Sequence, residues 1–174
     1  LNKRVEDLGV KFSSQYLMKE KNRITNPIER EIALSQKLVD TPILKKWAQN
    51  EENERYKEMA LAELESFRRH FHDKSYFFVI DDSGNYYFNN KKDEYAGKQY
   101  RYTLDKSNEK DQWYFTTMKE VDDYILNVNV DRVLNTTKIW INAIMKNDQD
   151  KKIGMAGTGL TLDQFLKNFL KNKD

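Results

Sequence analysis

The stretch YILNVNVDRVLNTTKIWINAIM, Tyr124 to Met145, alternates over two runs separated by a turn. Strand side chains two apart share a face, so the pattern predicts a β-hairpin with two chemically different sides. One side is plain core: Leu126, Val128, Val130, Ile139, Ile141 and Ala143. The other carries Asn127, Asn129 and Asp131 on the first strand and Lys138, Trp140 and Asn142 on the second. With Leu134 and Asn135 in the turn, Asn129 is expected opposite Trp140, Asn127 opposite Asn142 and Asp131 opposite Lys138. Asparagine and aspartate are poor strand formers. A half-sheltered pocket floor would compensate, since amides and a carboxylate can hydrogen-bond a small polar ligand while an aromatic ring covers its apolar part. The bland alternative is a wetted sheet face with one incidental tryptophan.

The rest of the chain supplies partners for both sides of that hairpin. The first seventy residues have helical spacing. Leu1, Val5, Leu8, Phe12 and Tyr16 form one apolar stripe, and Ile28, Ile32, Ser35 and Val39 continue it after a break at RITNP. Asn26 with Pro27 and Glu29 has the pattern of a helix start. Thr41-Pro42 opens a short helix ending near Trp47, and Tyr56, Ala60, Leu64, Phe67 and Phe71 give a third stripe. At Ser75 the period changes to two. YFFVID and YYFNN are strands joined by a DSGN turn. Residues 91–110 form a polar, tyrosine-rich loop with at most an edge strand, and DQWYFTTM is a short helix. KKIGMAGTGLTL is a last strand, and Thr161 with Gln164 starts a terminal helix over 162–172. The order predicts an α+β fold: a helical arm over residues 1–72, then about five antiparallel strands and a helix over 73–174.

Composition closes off several classes. A chain of 174 residues with 39% hydrophobic and 33% charged content can bury one good core. It has no cysteine, so disulfide, zinc-thiolate and cysteine-nucleophile chemistry are absent. Net charge is +2 without a basic block, which argues against nucleic acid. His70 and His72, the only histidines, fall on different sides of a helix and cannot chelate one ion together. No hydrolase elbow, Walker loop or zinc-protease helix occurs, so no catalysis and no cofactor are expected. GMAGTG lacks the following chain that a dinucleotide-binding unit needs; its small residues instead let a helix or ligand approach the strand. Asn135-Thr136-Thr137 matches a glycosylation sequon in the predicted turn. No apolar run approaches the length of a membrane span. The chain begins LNKRVEDLG, without methionine, and is read as a piece of a longer protein.

The helical arm, YFFVIDDSGNYYFNN, DQWYF, LNVNVDRVLNTTKIWINAIM and KKIGMAGTGLTLDQFL together resemble a bacterial Cache domain, the extracytoplasmic relative of PAS. They are most similar to the membrane-distal module of double-Cache sensors in chemoreceptors, histidine kinases and diguanylate cyclases. The resemblance implies a PAS-like sheet with the long N-terminal helix on one face and a small-molecule pocket on the other, capped by the loops and short helix between strands. Amino-acid-binding members use a tyrosine, an arginine and a tryptophan before the hairpin, a tyrosine on its first strand and an aspartate in the last strand. Trp113 matches the tryptophan. The positions of the arginine, the first-strand tyrosine and the aspartate carry Asp111, Asn127 or Asn129, and Gly159, so the ammonium and carboxylate partners of that ligand class are missing there.

The expectation is therefore an extracytoplasmic ligand-binding domain of a bacterial membrane receptor, taking a small polar metabolite such as an organic acid. Asn127, Asn129 and Asn142 would hydrogen-bond the ligand, and Asp131 would meet a donor or Lys138. Trp113, Tyr114 and Trp140 would be apolar walls, although Trp113 fits ordinary packing equally well. Arg101 would clamp an anion from the cap. A homodimer through the N-terminal helix is plausible, and the membrane would be met only through flanking segments outside this chain. The alternatives are a cytoplasmic PAS-like module that binds a protein and a spacer with no ligand.

Overall fold

A computed structural model describes residues 15, 18, 19 and 26–163. The stripe expected over Leu1 to Tyr16 and most of the expected terminal helix lie outside the described residues, although Leu162 and Asp163 are helical. Asn26, expected as an N-cap, is itself helical. Helix α1 covers residues 26–39, α2 spans Pro42–Gln49 and α3 spans Glu54–His70. Strands β1 (Tyr76–Ile80), β2 (Asn85–Asn89), β3 (Tyr100–Thr103), β4 (Tyr124–Asp131), β5 (Thr136–Lys146) and β6 (Lys152–Thr161) follow. A 3-10 turn, Glu109–Asp111, and helix α4, Gln112–Glu120, stand between β3 and β4.

The strands form one antiparallel sheet in the order β3-β2-β1-β6-β5-β4. It has six strands rather than the five expected. The addition is β3, whose four residues, YRYT, are all exposed. An edge strand with no core-facing residue gives no alternating signal to read.

The central strands β1 and β6 are buried along nearly their whole length, because both sheet faces are covered there. On one face lies the helical layer. Leu38 of α1, Leu44 and Trp47 of α2, and Ala60 and Leu64 of α3 pack on Tyr76, Phe78, Ile80, Tyr87, Met145 and Ala156. Trp47 is wholly buried, with its ring 5.4 Å from Phe78 and 4.7 Å from Tyr87, and its indole N–H donates to the Glu51 carbonyl. On the other face, Phe77, Val79, Ile144 and Met155 meet Leu104 and α4 through Tyr114, Phe115 and Met118. The five consecutive apolar residues of YFFVI serve both cores in alternation.

The hairpin register differs from expectation by two residues. Asn127 pairs with Trp140, Asn129 with Lys138 and Asp131 with Thr136. Residues 132–135 form the turn. The Asp131 carboxylate closes it by accepting the Val133 and Leu134 N–H groups at 2.9 Å, and Asn135 takes a positive φ of 51°. Because side chains repeat every two residues, a slip of two leaves each on its expected face. The face expected to be plain core is core only in part: Ile141 and Ala143 are buried, whereas Leu126, Val128 and Val130 are exposed, because β4 is an edge strand that the helical layer does not cover.

Gly157 has no room for a side chain. It pairs with Phe77 on one side and Asn142 on the other, and a Cβ there would stand 1.7 Å from the Ile141 carbonyl oxygen. Gly157→Ala is expected to force β5 from β6 and destabilise the protein by about 1–3 kcal/mol or more, read as a lower Tm and denaturant midpoint.

Glu31 of α1 is 2% exposed. Its Oε1 accepts the His72 N–H at 3.1 Å and an Arg30 guanidinium N–H at 2.8 Å, while Oε2 has no partner. Burial raises its pKa, and the His72 N–H and Arg30 offset only part of that. A carboxyl raised in the fold is favoured protonated, so its ionisation costs stability as pH rises through and above its usual range. Glu31→Gln is expected to raise Tm at pH 7 and to lose that gain as pH falls to about 4, measured by thermal unfolding across pH.

Candidate functional site

On the face away from the helical layer, the sheet carries a hollow. Its floor follows from the strand register. Phe77, Gly157, Asn142 and Ile125 lie in one row across β1, β6, β5 and β4, and Gly159, Trp140 and Asn127 lie in the next. Glycine occupies β6 in both rows, so no side chain rises from the middle of the floor. Beside Gly159 the space is taken by neighbours: a Cβ would stand 3.0 Å from a Trp140 ring carbon and 2.4 Å from Lys138 Cε. The Lys138 ammonium lies 4.4 Å from the Trp140 ring centre, and burial lowers its pKa. The indole is thereby held between a glycine backbone and an alkyl-ammonium arm.

Aromatic side chains build the walls. The Tyr86 ring is parallel to Phe77 at 6.0 Å and stacks on Tyr102 at 4.9 Å. Trp113, from the first turn of α4, meets Phe77 edge-on at 6.1 Å, and Trp140 meets it edge-on at 6.0 Å. Lys110, from the 3-10 turn, closes one side. The cavity measures about 410 Å³, within the range of small-molecule sites. Burial pushes the Tyr86 and Tyr102 hydroxyls above the usual tyrosine pKa, so both stay neutral hydrogen-bonding groups. A larger hollow of about 550 Å³ is lined by Asp73, Lys91 and Lys138 among others but has one aromatic wall residue, Phe88.

Five of the eight residues singled out in the sequence, Trp113, Asn127, Asn129, Trp140 and Asn142, line the cavity together. Three stand elsewhere. Tyr114 is wholly buried in the layer between α4 and the sheet, where its hydroxyl donates to Asp81 at 2.8 Å. It follows Trp113 on a helix, so its side chain leaves on a different face. Asp131 caps the hairpin turn. Arg101 is exposed on the edge strand β3, its guanidinium 3.8 Å from the ring centre of Tyr95. The reading missed Phe77, Tyr86, Tyr102 and Lys110. The alternation of YFFVID and YYFNN could have placed Phe77 and Tyr86 on the hairpin's polar face. Tyr102 and Lys110 sit in the tyrosine-rich segment without a usable period.

Asn142 is 2% exposed, and its side-chain amide has no hydrogen-bond partner. Asn127 and Asn129, one strand over, also keep their amides unpaired. Asn129 is exposed and Asn127 half-buried, and the Asn142 amide atoms are not among the fully buried unpartnered ones, so all three can offer hydrogen bonds to whatever fills the cavity.

No protein-family model and no curated protein sequence matches the chain. Solved structures do match. The extracellular domain of a protein described as a histidine kinase shares 14% identity at a TM-score of 0.64, covering 94% of this chain and 61% of that one. The ligand-binding domain of the Pseudomonas aeruginosa PAO1 amino-acid chemoreceptor PctC, in complex with GABA, shares 14% identity at a TM-score of 0.56, covering 88% and 66%. The sensory domain of a Campylobacter jejuni chemoreceptor with isoleucine bound shares 16% identity at a TM-score of 0.50, covering 88% and 63%. This chain spans less than two thirds of each. The fold is shared with these domains: an α+β arrangement of helices packed on one antiparallel sheet. Among the described residues no helix is long and apolar enough to cross a membrane.

Asn142→Leu exchanges an unpaired buried amide for an apolar group of similar shape in a strand that favours it. The ligand-free variant is expected to be more stable than the parent by about 1 kcal/mol, measured by chemical denaturation.

Proposed function

We propose that the chain is the ligand-binding part of an extracytoplasmic bacterial sensor, and that the aromatic-walled cavity over Asn142 takes a small polar metabolite. The observation that supports this most is the set of unpaired asparagine amides, one of them almost wholly buried, facing a cavity of ligand size. A packed core would leave such groups out, and an open surface would hydrate them. The solved domains of the same fold are described as sensory, ligand-binding or extracellular parts of receptors, which favours sensing over catalysis and over a cytoplasmic protein-binding module. An organic acid is one class the lining accommodates, because the Lys110 ammonium offers an anion contact.

Binding becomes a signal when the ligand contacts two parts of the protein that can change their separation. Asn142, Trp140 and Asn127 belong to the floor, while Trp113 and Lys110 belong to the cap before and within α4. A ligand touching both rewards the closed arrangement and shifts the population towards it. The helical layer receives the change through β5. Trp140, Asn142 and Ile144 face the cavity side, and the alternate residues Ala143 and Met145 pack against the helices.

A thermal-shift screen of metabolites on the chain tests the proposal. A ligand present at 100 to 1,000 times its Kd adds about 3–4 kcal/mol of stability. Lys110→Gln is expected to weaken an acidic ligand about tenfold and to leave a neutral one nearly unchanged. Uniform indifference to every metabolite class, with the protein folded, would remove the sensing reading.

A further inference from the structure

The lining narrows the ligand to a chemical class, on the premise that the cavity is a ligand site at all. Asn142 presents an NH₂ donor and a C=O acceptor side by side in one plane, both without a partner at 2% exposure. A carboxylate can satisfy only the NH₂ of such a group, and an ammonium only the C=O. A flat ring with a lactam or amidine edge satisfies both through two parallel hydrogen bonds, as carboxamide side chains do with the edge of adenine. The walls suit the same shape. Phe77 meets the Trp113 and Trp140 indoles edge-on, at 83° and 77°, and lies parallel to Tyr86. These rings line the same cavity as the amide, and a flat base can stack on an aromatic face. Among the described lining residues there is no carboxylate, and Lys110 is the one cation. That charge balance gives an ammonium group no ionic partner and favours a neutral ligand or one with a single acidic or carbonyl substituent.

We infer that the cavity binds a planar nitrogen heterocycle of the nucleobase kind, its lactam or amidine edge paired to the Asn142 carboxamide and its ring held among Phe77, Trp113 and Trp140. Asn127, on the neighbouring strand opposite Trp140, is placed to meet a second polar edge of the same ring. Lys110 at the rim is left for an oxygen substituent.

Calorimetric titration of the chain with uracil, hypoxanthine, 1,3-dimethyluracil, succinate, isoleucine and GABA tests this directly, with tryptophan fluorescence as a second readout. Uracil or hypoxanthine should bind. Dimethyluracil, flat but with its N–H groups blocked, should bind about tenfold more weakly or worse than uracil, and Asn142→Leu should lose the bases while remaining folded. Equal binding of uracil and its dimethyl derivative, or of the bases by parent and variant, overturns the edge-pairing assignment. Binding of succinate, isoleucine or GABA with none of the bases overturns it too, while leaving the sensor reading in place. Silence from all six probes, together with silence across the wider metabolite screen, removes both.

Discussion

The structure turns on a strand that has no side chains where its neighbours need space. On β6, Gly157 sits so close to β5 that a Cβ would meet the Ile141 carbonyl oxygen, and Gly159 lies under the Trp140 ring and the Lys138 arm. Two central strands with large residues on both faces would have filled the middle of this sheet. Glycine on one face instead leaves the row between Phe77 and Asn142 without a side chain of its own, and the Phe77 ring comes within 3.2 Å of where a Gly157 Cβ would stand. The helix-facing side of the same strand is not depleted: Ala156 is part of the main core and Leu160 is 1% exposed. The cavity lies over this stretch of the sheet, walled by aromatic side chains of the neighbouring strands and of α4.

That placement links the cavity to the helical layer with little intervening structure. β5 is the shared element. Its even-numbered residues from 140 to 144 belong to the cavity side, and Ala143 and Met145 are packed into the layer built by α1, α2 and α3. A change in the position of Asn142 moves a backbone whose next residue is in that core. Arg68 of α3 ties the layer to the sheet, donating to Glu65 on its own helix and to the Asn90 carbonyl just after β2. The helical layer and the sheet thus form one packed unit among the described residues, which is what a device that reports a binding event through its helices requires.

The sequence revealed the fold wherever period and burial coincided. The hairpin faces, the β1–β2 turn, α4 and the glycine strand were all visible, because each repeats its pattern over enough residues. β3 was legible only as a possible edge strand within residues 91–110, without bounds, since a four-residue exposed edge has no buried side to mark. The turn is two residues longer than alternation alone implies, because the Asp131 carboxylate caps it and Asn135 takes a left-handed conformation. Asp131, expected as a ligand group, serves that turn instead. Tyr114 was grouped with Trp113 by adjacency, whereas successive helical residues diverge by about 100°. Arg101 was assigned to a cap that the chain builds from Lys110 and Trp113 instead. The site was legible on the hairpin, where alternation fixes direction, and illegible in the tyrosine-rich loop, where only tertiary contact does.

Two asparagines show why burial alone does not identify a site. Asn89 is wholly buried at the end of β2, and every polar atom of its side chain is occupied. Its amide donates to Glu65 and Asp93, and its carbonyl accepts the N–H groups of Asn90 and Tyr95. It holds the loop after β2 in place, and its role ends there. Asn142 is nearly as buried, stands mid-strand where its residue type is unfavourable, and is joined to nothing. One asparagine has its polar capacity consumed by the chain; the other keeps all of it for a space bounded by aromatic rings. The first is explained completely by the fold. The second faces the cavity with its side-chain polar capacity unused, and this, more than the likeness to other sensory domains, supports the proposal that the cavity is a binding site.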